Sequence, residues 1–79
     1  MKEALAKLDP ELLFADGFDN CIVGITIGDE GVPVVMYSEP HVIAELEKEM
    51  SLAEAYEYFD FNIAGAYMGP RTPMFVWIQ

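Results

Sequence analysis

Cys21 and His41 are the only cysteine and the only histidine in the 79 residues, so they are the only candidates for a nucleophile–base pair. Cys21 alternates with Val23 in an apolar run, which is typical of a small buried side chain. His41 lies in the first turn of a predicted helix, where the helix dipole disfavours its protonated form. We therefore expect neither residue to be catalytic and the chain not to be an enzyme.

The same two counts limit the kinds of metal site that one chain can build. A single cysteine excludes an internal disulfide and a multi-cysteine zinc site, and a single histidine excludes a two-histidine site. Asp16, Asp19 and Asn20 fall within one turn, but they lack the alternating spacing and the distal glutamate of an EF-hand. We expect them to cap neighbouring elements, and we expect no cofactor.

Acidic residues dominate the charged positions. The chain has 14 aspartates and glutamates against 4 lysines and arginines, which gives a formal net charge of −10. Such a surface repels DNA, RNA and anionic membranes, so we expect none of these as direct partners. The hydrophobic fraction of 53% excludes a disordered acidic tail. We expect neither a membrane span, which needs about 20 apolar residues, nor a signal peptide.

Several acids concentrate on two adjacent predicted helices. Tyr58 and Phe61 fall off the apolar stripe of the second of these helices, beside its glutamates. Arg71 is one of only four bases and lies in a loop between two prolines. The pattern predicts an interaction surface made of Glu45, Glu49, Glu54, Glu57, Tyr58, Phe61 and Arg71. The alternatives are a solvated helix face and, for Arg71, an ion pair with a nearby acid.

The elements that position these residues follow from apolar spacing and capping residues. Asp9-Pro10 predicts a second short helical turn after an N-terminal helix, and Ser51 with Glu54 predicts a capping box. We predict one α+β domain over residues 1–79, of order α-β-β-α-α-β, with a three-stranded sheet packed with two helices. Its predicted segments are an N-terminal helical segment (1–15), a β-hairpin (20–37), two helices (38–68) and a C-terminal strand (74–79).

Both faces of the predicted sheet are apolar. The first strand, residues 21–27, is the most uniformly apolar, so we place it in the middle with the last strand beside it. An antiparallel sheet with one wet face should alternate polar and apolar side chains, and neither face here is polar. The two helices can cover only one face. We expect the other face to be covered by the N-terminal helical segment or by a second copy, which would make the protein a homodimer.

The chain carries five short motifs in order: DGFDN (16–20), IVG (22–24), YFDFN (58–62), GAYMG (65–69) and TPMF (72–75). In this combination, and above all in the pattern YFxFNxxGAYxG followed by TPxF, it resembles a group of small uncharacterised proteins of tailed phages and of prophage regions in bacterial genomes. The likeness runs from Gly17 to Phe75 and leaves the N-terminal helix outside. The group brings no established activity, cofactor or catalytic residue. The resemblance implies a phage gene product in the bacterial host cytoplasm.

Three hypotheses for the function fit these patterns. The first is a non-catalytic acidic interaction domain of phage origin that binds or inhibits a host protein. The second is a small-molecule-binding domain or small enzyme, with a site between sheet and helices lined by Tyr56, Tyr67 and Trp77. The third is a structural or assembly component of the virion, which self-association would favour.

Overall fold

The computed structural model describes residues 1–78, which form an α+β fold with a three-stranded mixed sheet. The predicted fold class and the order α-β-β-α-α-β are confirmed. The helices and strands are α1 (Lys2–Leu8), β1 (Ile22–Ile27), β2 (Pro33–Ser38), α2 (Glu39–Leu46), α3 (Leu52–Tyr58) and β3 (Met74–Val76). A 3₁₀ turn (Asp19–Cys21) precedes β1, and a π-helical segment (Phe59–Ala64) continues α3. The last strand, predicted to reach position 79, ends at Val76, and Gln79 lies outside the described residues.

β2 is the central strand of the sheet, whose order is β1-β2-β3. β1 pairs with β2 antiparallel as a hairpin, and β3 pairs with it parallel, with Tyr37 opposite Phe75. A parallel pair requires a crossover connection, which α2 and α3 supply. The prediction that the first strand lies in the middle is therefore wrong. Its apolar run forms an edge strand in which Ile27 is 62% exposed, whereas Val34 and Val35 bury both faces of β2.

The N-terminal segment contains one helix rather than two. Asp9 ends α1 in an extended conformation (φ −147°, ψ 100°), because a residue before proline is disfavoured in the helical region. Its carboxylate accepts a hydrogen bond from the N–H of Glu11 (3.0 Å), and its carbonyl accepts one from the N–H of Leu12 (3.2 Å). These bonds close a single turn, so a turn follows Asp9-Pro10 as predicted, but it is not helical, and the chain continues to Ala15 without regular structure.

The core lies between the helices and one face of the sheet. Alternation along β2 places Val35 and Tyr37 on that face, and paired positions share a face, so Phe75 joins them. Phe75 is half-buried. The buried members of this core besides Val35 and Tyr37 are Leu5, Leu12, Cys21, Ile22, Val42, Ile43, Leu46, Ala55 and Phe59. The N-terminal segment therefore contributes its buried leucines to the same core as α2 and α3.

The opposite face of the sheet is mostly apolar and lies outside this core. By the pairing register, it carries Thr26, Val34, Met36, Ser38, Met74 and Val76. Val34 is buried, whereas Met74 is 37% exposed. The N-terminal helix was one of the two expected covers for this face, but Leu5, its buried residue, packs into the helix-side core instead.

A capping box starts α3, as predicted, and the π-helical segment ends the helical region. The Ser51 hydroxyl accepts a hydrogen bond from the N–H of Glu54 (3.2 Å), and the Glu54 carboxylate accepts one from the N–H of Ser51 (3.0 Å). In the π-helical segment, which is wider than an α-helix, Phe59 is buried in the core while Phe61 is 80% exposed. The region ends at Ala64, before the predicted residue 68.

Candidate functional site

Tyr58 lies where three surface depressions meet. It is the last residue of α3, it is 45% exposed, and it lines all three of them. One depression, here called the apolar cleft, is lined mainly by aromatic and aliphatic side chains. The other two, here called the first and second acidic grooves, contain glutamates from α2, from α3 and from the turn between them. Tyr58 therefore joins an apolar site to two negatively charged ones.

The apolar cleft has a volume of about 320 Å³ and lies between the N-terminal segment and the end of the helical region. Its lining includes Phe14, Phe18, Tyr58, Ile63, Ala66, Met68, Pro73 and Phe75. Asp16 and Asn62, both exposed, add polar groups to this lining. The cleft is suited to an apolar group whose edges reach solvent or polar partners.

An aromatic stack supports the apolar cleft from the core side. Phe75 stacks on Tyr37 with ring centroids 5.3 Å apart, and it meets Phe59 edge-on at 5.2 Å. The Tyr37 hydroxyl accepts a hydrogen bond from the N–H of Ala15 (2.7 Å), which fastens the N-terminal segment beside the sheet. Burial raises the pKa of Tyr37 above its ordinary value, so its hydroxyl stays neutral at physiological pH.

The two acidic grooves adjoin different walls of the apolar cleft. The first acidic groove is lined by Met50, Glu54, Glu57, Tyr58, Phe61 and Asn62, and it shares Tyr58 and Asn62 with the cleft. The second is lined by Asp16, Gly17, Phe18, Glu45, Leu46, Lys48, Glu49 and Tyr58, and it shares Asp16, Phe18 and Tyr58 with the cleft. An occupant of the cleft therefore meets carboxylates in two directions.

The carboxylates of these grooves differ in the ion pairs and hydrogen bonds that they make within the molecule. Glu45 pairs with Lys48 at 2.9 Å, which raises the pKa of the lysine, and Glu54 caps α3, which lowers its own pKa. Glu49 and Glu57 make no ion pair within residues 1–78. Their charges are therefore available to a positively charged partner.

The structure brings together every residue of the predicted interaction surface except Arg71. Among the residues that it adds, and that sequence reasoning did not assign to that surface, are Phe14, Asp16 and Phe18. Their signal in the sequence is a pair of phenylalanines that flank an Asp-Gly turn. That signal does not show which helix they meet, because the contact depends on tertiary packing.

Arg71 is engaged inside the molecule, away from the acidic grooves. Its guanidinium donates to the carboxylates of Asp9 (2.8 Å) and Glu11 (2.9 Å) and to the carbonyl of Pro33 (3.0 Å). The backbone N–H of Glu11 and then the Arg71 side chain hold the pKa of Asp9 below its ordinary value. Arg71 thus ties the loop before β3 to the N-terminal turn and to β2, as the ion-pair alternative predicts.

Cys21 and His41 have separate surroundings. Cys21 is buried, and desolvation is the main cause that raises the pKa of its thiol. Nδ1 of His41 lies 2.7 Å from the buried hydroxyl of Ser38, which donates to the carbonyl of Ile78.

The three aromatic residues of the small-molecule hypothesis do not line one cavity among the described residues. Tyr56 packs against the core. Tyr67 is exposed and donates a hydrogen bond to Glu30 (3.0 Å), which raises the pKa of the tyrosine. Trp77 is also exposed, beyond the end of β3. None of the three lines the apolar cleft described above.

Neither metal ligands nor a membrane-spanning helix are found in residues 1–78. No group of three or more His, Cys, Asp or Glu side chains there is placed to hold a metal ion. Within the same range, every helix is too short or too polar to cross a bilayer. In comparisons with known proteins, no family model, no curated protein and no solved structure matches this chain.

Proposed function

We propose that this chain is a non-catalytic acidic domain that binds another protein through the surface around Tyr58. The observation that carries the proposal is the arrangement of two acidic grooves around two exposed aromatic side chains, Tyr58 and Phe61. Aromatic residues are enriched at protein interfaces, where they bury a large area at a small cost in side-chain entropy. The acids around them select a partner with a positively charged surface.

The partner that fits best is a host protein with a basic nucleic-acid channel, such as an RNA polymerase, a nuclease or a CRISPR effector. The phage resemblance supplies the host, and the formal charge of −10 supplies the electrostatic attraction. On this proposal the protein acts in the bacterial cytoplasm and blocks its partner by occupying the basic channel. The long-range attraction raises the association rate, so binding weakens as salt is added.

Removing the charges of the two unpaired glutamates, Glu49 and Glu57, tests this proposal. Glu49→Gln with Glu57→Gln should weaken capture of a basic partner from bacterial lysate roughly threefold to tenfold, since each exposed pair contributes modestly. The matched control, Glu3→Gln with Asp29→Asn, has the same net charge but places the changes on α1 and at the hairpin turn. Capture is measured quantitatively between about 0.05 and 0.5 M salt. If both double variants weaken capture equally, the effect depends only on net charge, and the proposal of a specific binding surface is contradicted.

We also propose that the protein forms a homodimer through the sheet face opposite the helices. This face is mostly apolar, lies outside the core and exposes Met74. Light scattering should give twice the chain mass for the wild type. Met74→Lys should give a monomer, because a charge in an apolar interface is costly. The control is Ile27→Lys. Ile27 is also an exposed strand residue, but it pairs with Pro33 on the face of the sheet that does not form the proposed interface, so this variant should stay dimeric. A monomeric wild type at all concentrations would end this proposal.

A further inference from the structure

The apolar cleft has the size and surroundings of a receptor for a single bulky side chain. Its volume of about 320 Å³ is at the small end of ligand pockets, which span about 300–1,000 Å³. Its walls are held by the Tyr37–Phe75 stack and by the hydrogen bond from Ala15 to Tyr37. A cleft that is held in place before binding costs less ordering free energy than one that must form on binding.

The surroundings of the cleft restrict the charge of its occupant. The first acidic groove reaches the cleft at Asn62 and the second reaches it at Asp16 and Phe18, while Tyr58 is common to all three. A segment that fills the cleft and continues along the two grooves therefore passes carboxylates on both sides of its anchor. Positive residues at both flanks of an apolar anchor complement this pattern, and arginine can also pack on the Tyr58 ring.

We propose that the apolar cleft receives one bulky apolar side chain of the partner protein, from a segment that carries arginine or lysine on both sides of that anchor. This inference rests on the proposed function, because it specifies how the partner engages the surface around Tyr58. A second copy of this chain fits the cleft poorly, since each copy has a formal charge of −10 and would bring acids to acidic grooves.

A random-peptide display library screened against the wild-type protein tests the proposal without knowledge of the partner. The selected peptides should share a Trp, Phe or Leu flanked on both sides by Arg or Lys. Ala66→Phe, which places a ring on the exposed lining of the cleft, should weaken a selected peptide roughly tenfold to hundredfold. The matched control Ala64→Phe, on an exposed residue two positions earlier that does not line the cleft, should leave its affinity unchanged. Circular dichroism on each variant verifies the fold.

The outcomes separate this inference from the proposed function. Selected basic peptides that lack an apolar anchor, or that bind Ala66→Phe as well as the wild type, would overturn the inference and leave the acidic surface in place. Peptides unaffected by both Ala66→Phe and the Glu49→Gln, Glu57→Gln pair, or an absence of selected peptides, would overturn both. If Ala66→Phe converts a wild-type dimer into a monomer, the occupant is a second copy and the inference is wrong.

Discussion

Replacing Phe59 with alanine is expected to lower the free energy of unfolding by about 3–5 kcal/mol, the range for removing a buried phenylalanine. Phe59 is buried in the core and meets the edge of Phe75, so the substitution removes an aromatic contact and leaves a cavity. A chain of this length has roughly 4–12 kcal/mol of total stability at 0.05–0.15 kcal/mol per residue. Phe59→Ala is therefore expected to be marginally folded at room temperature.

Phe61→Ala is the matched control, because Phe61 lies two positions away in the same π-helical segment but is exposed. It should change the stability by less than about 0.5 kcal/mol, as surface substitutions do. Urea unfolding, followed by circular dichroism, measures the free energy of unfolding of both variants. If Phe59→Ala is already unfolded in water, the milder variant Phe59→Leu is measured in its place. Equal effects at the two positions would contradict the assignment of Phe59 to the core and of Phe61 to the surface.

Replacing Arg71 with alanine is expected to give the second largest loss of stability. The hydrogen bond from Arg71 to the carbonyl of Pro33 alone should contribute about 1.5–3 kcal/mol, because its donor is charged. The substitution also removes the ion pairs that hold the N-terminal turn at Asp9 and Glu11. Arg71→Lys should be intermediate, since an ammonium group cannot reproduce the planar geometry of the guanidinium. If denaturant unfolding gives both variants the same free energy of unfolding as the wild type, the conclusion that Arg71 holds this loop in place is contradicted.

The Arg71 contact also predicts a dependence of stability on pH. The pKa of Asp9 is lowered in the folded protein from its ordinary value of 3.8, first by the N–H of Glu11 and then by Arg71. The stabilising contribution of this carboxylate is therefore fully present above pH 3.8 and is lost as the pH falls through the lowered value. The difference in the free energy of unfolding between the wild type and Arg71→Ala should therefore become smaller as the pH falls through the lowered pKa of Asp9. It should not vanish, because the bond to the Pro33 carbonyl does not titrate in this range.

Local signals in the sequence predict the elements well, because each acts within a few residues. Ser51 and Glu54 satisfy each other's backbone N–H groups across three positions, so the start of α3 can be predicted without knowledge of the fold. Asp9-Pro10 shows how such a signal misleads. The same pair that can start a helix also ends one, and here the extended Asp9 and its bond to Glu11 make only a turn.

The order of the strands depends on contacts that local patterns do not show. The apolar run of β1 resembles a central strand, yet β2 takes the centre because the α2–α3 crossover returns β3 to its other edge. The apolar cleft is missed for the same reason, since Phe14 and Phe75 line it from distant parts of the sequence, and the bond between Ala15 and Tyr37 holds the N-terminal segment beside the sheet. The helical acids were predicted as a surface because they are close in sequence, whereas the partners of Arg71 lie at least 38 positions away.

Site-specific photo-crosslinking in bacterial cells tests the central claim most directly. A photoreactive phenylalanine analogue at position 58 places the reactive group where the apolar cleft and both acidic grooves meet. We expect a discrete crosslink from position 58 to a second protein, at a peptide containing arginine or lysine. The double variant Glu49→Gln, Glu57→Gln should diminish this crosslink. The same analogue at the exposed hairpin residue Asp29 should give no such product. A partner crosslinked from position 29 and not from position 58 would contradict the assignment of this surface.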